Sequence, residues 1–535
     1  MPIASWIPGR LGALAALVLL ALSAAGCAAA ARALPNDTLV ALEAGDAPTL
    51  NPLLATTQYS QEYDYLIMDP LVGTGDHYQP IPWLATSWSA SPDHLHWIVH
   101  LRHGVTFSDG VPFTSRDVVF SYDTYLNPAT GYPYAGQFAY IKRVSAAGPY
   151  AVRFDLKEPN ALFLTEGLNL WILPQHILGQ VPPAQLRTSS FGEHPVGTGA
   201  YVLRSWRHDD EILFARNPHW WHGLPGIPKI DVRIVLNDAA EREAMEGGEA
   251  DFYDGIGSAT YELMRRQDPH LHYLHVPDLY AIFMLTDDTL PGLRDVRVRQ
   301  AMIYGWDRDA LVNRLMHGDA QVATGIVPHG LPTWHDPNVQ HYPYDPARAR
   351  ALLDAAGWRV GPGGVRARGG TRLAFTLLLP NGGAATSDLA ADFQADMRSI
   401  GIAIGVKMLD YATFVQDLDG RRFQIAFTGW GGTPDPDQFT FLDSSQWSPT
   451  GNNTTHYASA AVDVTLRQGL RELDPIKRTA IYNRMQQLTA LDPPVIWGYD
   501  LYYRAALSPR VNVNGAALLP GLYIWNDIWR WRLRT

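Results

Sequence analysis

Three histidines open the search for chemistry. His94, His96 and His100 sit in and beside a stretch of strict alternation, where i, i+2 residues share one face of a strand. Neutral imidazoles gathered on one face can bind zinc or copper; the plainer reading is a solvated polar face. Asp435 and Asp437 form a second pair, of the residue type that hydrolyses glycosides, although closeness in sequence is not a carboxyl geometry. Gly197-Thr198-Gly199 has the composition of a phosphate loop, but no Lys follows. The next segment reads as a strand, so no helix N-terminus is on hand to hold phosphate, and a backbone turn is expected. The chain has no Gly-x-Ser-x-Gly elbow and no His-Glu-x-x-His helix. Its one cysteine, Cys27, excludes an intrachain disulfide and a Cys-based metal site. The expectation is a protein that is not an enzyme and carries no cofactor, with His94, His96 and His100 as weak metal candidates only.

The body that must position such residues is large. At 535 residues the chain exceeds the roughly 250–300 that one hydrophobic core supports, so at least two lobes are expected. Hydrophobic residues make up 47% and charged residues 18%, which argues against disorder. The net charge of −11 and the lack of any Lys/Arg run argue against nucleic acid as a partner.

Arg10 is the only charge before an apolar run from Leu11 to Ala25 that ends in small residues. That is an export signal, too short to span a bilayer as a helix of about 20 apolar residues. Two processing routes compete. Ala24-Ala25-Gly26-Cys27 is similar to a lipobox, which would remove residues 1–26 and lipidate Cys27. Ala31-Arg32-Ala33 fits ordinary cleavage before Leu34, which would remove residues 1–33. No later segment is long and apolar enough to span, so the only expected membrane contact is that lipid anchor.

From Thr38 onward strand-like and helix-like segments alternate, giving a mixed α/β class. Thr38 to Ala44 reads as a first strand. Leu95 to Leu101 reads as a half-buried strand with Leu95, Trp97, Val99 and Leu101 inward. Thr114 and Asp117 form a capping box that opens a helix with Val118, Tyr122 and Leu126 on one face. Arg294 to Gly305 and Arg308 to His317 read as two helices, the second stopped at Gly318. Asp345-Pro346 opens another, ended by Gly357. Strands follow at Leu373 to Leu379 and Phe423 to Trp430. No linker separates lobes, so the chain is expected to cross between them on strands, near Tyr280 to Leu285 and Val495 to Tyr499.

One stretch carries a family resemblance. Leu84-Ala85-Thr86-Ser87-Trp88 is followed by Asp93, Trp97, the run Leu101 to Gly110 (LRHGVTFSDG), Pro112, Asp117-Val118 and Phe120-Ser121. This resembles the signature of the family 5 extracellular solute-binding proteins, which include oligopeptide, dipeptide and nickel carriers. The resemblance continues through Ile172 to Ile177, Pro195 to Tyr201, Gly248 to Asp251, Val296 to Ala301, Tyr344-Asp345-Pro346 and Gly429-Trp430.

The resemblance implies an α/β, two-lobed periplasmic-binding-protein-like fold (type II, cluster C-like) with an inserted subdomain in lobe I. Lobe I would comprise 34–73, an inserted subdomain at 74–190, then 191–280 and 498–535; lobe II would be 281–497. It also implies closure on a ligand by hinge motion and a periplasmic or membrane-anchored extracytoplasmic place. The expected chain is a monomer that serves the permease and ATPase subunits of an ABC importer. The solute would be a peptide, a peptide-like compound or another small polar ligand such as a sugar, opine or metal chelate.

Site residues follow from the same resemblance. In the peptide carriers, Gly-Trp is followed by two residues and an aspartate that pairs with the peptide's ammonium. Here Thr433 holds that place after Gly429-Trp430, and a hydroxyl cannot neutralise a buried cation. Asp435 or Asp437 would substitute if the loop bends them inward, and Trp430 would form an aromatic wall. The loop after Thr49-Leu50-Asn51-Pro52 resembles a cleft-lining segment, with Thr56, Thr57, Gln58 and Tyr59 as its candidates.

Overall fold

The first strand-like run does form a strand, Thr38–Glu43, and all six of its residues are buried. It lies parallel to both of its neighbours, Lys229–Ile234 and Phe252–Tyr253, and a strand covered on both faces reads as continuously apolar. The computed structural model describes residues 34–381, 383–431, 433–447 and 451–534. Cys27 and the expected export segment lie outside them.

Eleven strands join in one sheet. Across it run Ala403–Leu409, Ala374–Pro380, Ile425–Gly431, His272–Thr286, Val495–Leu507, Phe252–Tyr253, Thr38–Glu43, Lys229–Ile234, Glu211–Arg216 and Tyr201–Arg207, with Ala320–Val322 added against Val495–Leu507. The 15-residue strand His272–Thr286 and the 13-residue strand Val495–Leu507 are antiparallel partners and are long enough to serve two lobes. Their pairing breaks midway. Pro277 faces Tyr502 and Ala281 faces Asp500, so residues 278–280 stand opposite the single Leu501. Such an irregularity bends the strand and sharpens its twist.

The two cores divide at that break. Leu274, Val276, Tyr503 and Leu507 pack into one apolar cluster, whereas Leu279, Phe283, Val495 and Tyr499 pack into the other. The chain therefore changes lobe on strands. The change falls at 276–279 and 499–503, at the edges of the expected Tyr280–Leu285 and Val495–Tyr499 segments. The break in pairing locates it there, a non-local feature that periodicity does not carry.

A separate four-stranded sheet, ordered Ala85–Ala90, His96–Leu101, Ala151–Leu156, Ile141–Gly148, builds the expected insertion. Its core is continuous with the first cluster through Trp97, Val99, Phe154 and Tyr122. Helix Ser115–Leu126 covers it and begins with the expected capping box: the Thr114 side chain accepts from the first turn and Asp117 Oδ2 accepts from the Thr114 N–H at 2.9 Å. Asp345 caps Pro346–Ala355 by accepting from the Arg348 N–H at 2.8 Å. The Gly197-Thr198-Gly199 turn presses on helix Gln58–Ile67. A side chain at Gly197 or Gly199 would meet the Ile67 backbone at 2.1 or 2.4 Å, so these glycines permit a close backbone approach. Among the described residues no helix is long and apolar enough to cross a membrane.

Candidate ligand cleft

A cavity of about 210 Å³ opens between the two cores. The first lobe supplies Pro52, Ala55, Gln61, Asp64 and Tyr65, its insertion supplies Tyr132, Tyr134, Phe138, Glu166 and Trp171, and the C-terminal segment supplies Tyr523. The second lobe closes it with Thr433, Pro434 and Asp435. Gln61, Asp64 and Tyr65 share one face of Gln58–Ile67 because residues three and four apart align on a helix. Tyr65 stacks edge-on against Trp171 (centroids 4.8 Å apart) and Tyr523 (5.8 Å), and Tyr132 meets Tyr134 at 5.7 Å. At the rim, Arg471 of the second lobe reaches Glu158 of the first, Nη2 to Oε2, at 2.6 Å.

The loop expected to carry the anchor is arranged differently from the simplest expectation. Thr433 is exposed and lines the cavity. Asp435 also reaches it, but its carboxylate is gripped by Arg478, at 2.6 and 2.8 Å, with both side chains buried. Asp437 Oδ1 accepts from the Tyr482 hydroxyl at 2.9 Å and Oδ2 from the Phe439 N–H at 3.2 Å. Burial, with the Asp435 charge beside it, pushes Asp437 up to about 7. Trp430 stacks on Phe441 at 5.1 Å and packs against the second core; it does not line this cavity.

The segment after Asn51 supplies Pro52 and Ala55 to the cavity wall, and its four candidates lie elsewhere. Thr57 is the N-cap of Gln58–Ile67 and Gln58 donates to Glu62 at 2.7 Å. Thr56 is exposed, and Tyr59 is half-buried with its hydroxyl pushed up to about 12 by burial and then by Glu43. None of these four lines the cavity; Ala55, Gln61, Asp64 and Tyr65 do. No local sequence pattern marks Tyr132, Tyr134, Glu166, Trp171 or Tyr523 as cavity-lining, and none of these five, nor Asp64 or Tyr65, was among the expected site residues. Only the i, i+3, i+4 spacing of Gln61, Asp64 and Tyr65 was available to find any of them.

Burial pushes Asp64 well above the carboxylate range. Glu166 is pushed up to about 8, by burial first and then by the charges of Asp435 and Asp437. A second acidic group lies at the C-terminal ends of the parallel strands Thr38–Glu43 and Phe252–Tyr253. Oxygens of Glu43, Glu62 and Asp254 lie within 4.8 Å of one another, the one such group among the described residues that can hold a metal ion. Burial and mutual repulsion push Glu43 well up, and burial followed by the Asp254 charge does the same to Glu62.

The three histidines do not gather. His94 adopts φ 55° in the turn before the strand, so it leaves the face it was expected to share. His96 Nδ1 lies 2.6 Å from Asp155 and 2.9 Å from Arg153 Nη2, and His100 stays exposed. Their arrangement is that of a solvated strand face.

Comparison with known proteins agrees with this architecture. Residues 79–452 match the model for bacterial extracellular solute-binding proteins, family 5. Protein XP55 of Streptomyces lividans is 31% identical over 461 residues, covering 85% of this chain and 82% of that protein. The oligopeptide-binding protein AppA of Bacillus subtilis, solved with a nonapeptide, superposes with a TM-score of 0.81 at 25% identity, over 93% of this chain and 99% of AppA. NikZ of Campylobacter jejuni, solved with Ni(L-His), superposes with a TM-score of 0.80 at 26% identity, over 93% and 100%. With two cores joined by paired long strands, a cavity between them and a family match over most of its length, the chain belongs to family 5 of the bacterial extracellular solute-binding proteins.

Proposed function

We propose that this protein is the extracytoplasmic capture component of an ABC importer, taking a peptide or peptide-like solute in the cavity between its lobes. The observation that carries this reading is the cavity itself. Its walls come from both cores, so occupancy and closure are one event. The break at 278–280 gives the long strands a place to bend. The lobe division follows as 34–73, 74–190, 191–280 and 498–535 against 281–497. The protein acts as a monomer, delivers its solute to the permease and ATPase subunits, and needs no cofactor. Its cleft releases the solute chemically unchanged. Cys27 is its lipid anchor if the lipobox route is used.

A second reading keeps the fold and changes the solute to a sugar, opine or metal chelate. Thr433, in the place of the peptide carriers' aspartate, favours it. A thermal-shift screen of the mature protein against peptides, sugars and metal chelates separates the two. Saturation at 100-fold the Kd adds about 2.7 kcal/mol of stability, a readable shift. Mass spectrometry of the recovered ligand tests the absence of catalysis, and a hydrolysed product would overturn the carrier reading.

A further inference from the structure

We propose that the cleft takes its solute by a positively charged group, an ammonium or guanidinium, seated between Asp64 and Glu166 and faced by the rings of Tyr65, Tyr132 and Tyr134. This rests on the reading of the cavity as the solute site.

The charge balance of the cavity decides the sign of its ligand. Its walls carry three acidic residues, Asp64, Glu166 and Asp435, and no Lys, Arg or His. Arg478, the guanidinium behind this wall, is used by Asp435. That leaves Asp64 and Glu166. Asp64 is 1% exposed, and its Oδ1 is buried without a hydrogen-bond partner. It stands on the helix face that lines the cavity. Glu166 approaches from the insertion, and no side-chain hydrogen bond or ion pair joins it to the described residues. A buried carboxyl without a partner is costly, and a ligand cation is the group that relieves it.

The rings of Tyr65, Tyr132 and Tyr134 favour the same sign of charge. An aromatic face attracts a cation within about 6 Å of its centroid, more strongly when water is excluded. An anionic ligand would meet the same rings and two carboxyls with no base to pair with it. A peptide's terminal ammonium and a Lys or Arg side chain share this chemistry. The place of the anchor has moved from the second lobe, where Thr433 stands, to the first lobe and its insertion.

The test is calorimetric titration of the mature protein, with small-angle scattering for closure. The probes are Ala-Lys-Ala, Ala-Arg-Ala, their norleucine and citrulline counterparts, Ala-Glu-Ala, the N-acetylated form of each, and free arginine and spermidine. The expected result is binding of cationic probes with closure, and a loss of about tenfold or more in Asp64→Asn and Glu166→Gln. Acetylated probes distinguish a terminal ammonium from a side-chain cation. Asp64→Asn and Glu166→Gln keep the side-chain shape, and circular dichroism checks that each variant folds; Glu166, less buried than Asp64, gives an independent reading. Equal binding of the uncharged counterparts, or of cations to both variants, would overturn the assignment while leaving the cleft in place. Failure of every probe to bind would overturn the assignment, and the cleft reading would fall only if ligands from the thermal-shift screen also bound without closing the protein.

Discussion

Arg478 holds Asp435 by both carboxylate oxygens, at 2.6 and 2.8 Å, in a pair that is buried on both sides. The carboxylate nearest Thr433 is therefore neutralised from within the second lobe, where Arg478 also donates to the Gly469 carbonyl at 3.0 Å and lies 5.3 Å from the Trp334 ring. Removing one partner leaves the other charge buried alone. Asp435→Ala is expected to destabilise the protein by about 3–5 kcal/mol, measured by urea unfolding. Replacing both partners with apolar residues of like size should cost much less. A single variant with unaltered stability would show that the carboxylate is free for a ligand.

The buried carboxyls set a pH dependence. Burial raises Asp278 to about 6, Asp437 to about 7 and Glu166, which faces Asp435, Asp437 and Arg478, to about 8. Each binds its proton more tightly folded than unfolded, so the folded state holds more protons between the unfolded values, about 4, and these raised ones. Stability of the ligand-free protein should fall as pH rises from about 4 to 8. Asp155 and Asp295, held below the usual range by Arg153 and Arg297, act oppositely and only in more acidic solution. Thermal unfolding across pH 4–8 reads the slope, and Glu166→Gln should flatten its upper end. A Tm that climbs steadily to pH 8 would contradict this.

Glu43, Glu62 and Asp254 share a buried space in which each raises another's proton affinity. Tyr503 donates to Asp254 and Gln58 to Glu62, while Glu43 Oε1, Glu62 Oε2 and Asp254 Oδ2 are left without partners. Glu62→Gln keeps the shape and removes one charge. It should raise the Tm at pH 7.5 and leave it nearly unchanged at about pH 3, where the carboxyls are largely protonated in both states. A lowered Tm at pH 7.5 would mean that the charged form is stabilised by something the triad binds.

The Arg471–Glu158 pair joins the lobes at the rim, with 59% and 50% of its side chains exposed. Exposed pairs contribute at most about 1 kcal/mol and weaken with salt. Glu158→Ala should shift the closed population slightly at low ionic strength and not at 0.5 M salt, read by interlobe fluorescence transfer. A large effect that persists in salt would assign the pair a greater part in closure.

Local devices were legible in the sequence, and non-local ones were not. The Thr114–Asp117 capping box and the Asp345 N-cap need only neighbouring residues, and both formed as expected. The His94 turn failed because positive φ at a histidine leaves no mark in an alternation pattern. The order of the eleven strands and the break at 278–280 depend on pairings across the chain. At the cleft, the segment after Pro52 was legible by resemblance, but its helix begins at Gln58 and turns Gln61, Asp64 and Tyr65 inward in place of Thr56 to Tyr59. A single Asp on a helix reads as solvated unless the opposing lobe is known, and Glu166 faces the cavity only because the insertion folds over it.

Capture works by closure of two lobes around a solute. Small-angle scattering of the mature protein, with and without a ligand identified by the thermal-shift screen, tests it most directly. The radius of gyration should fall at saturation, as the long strands bend near 278–280. An unchanged profile at saturation would contradict it.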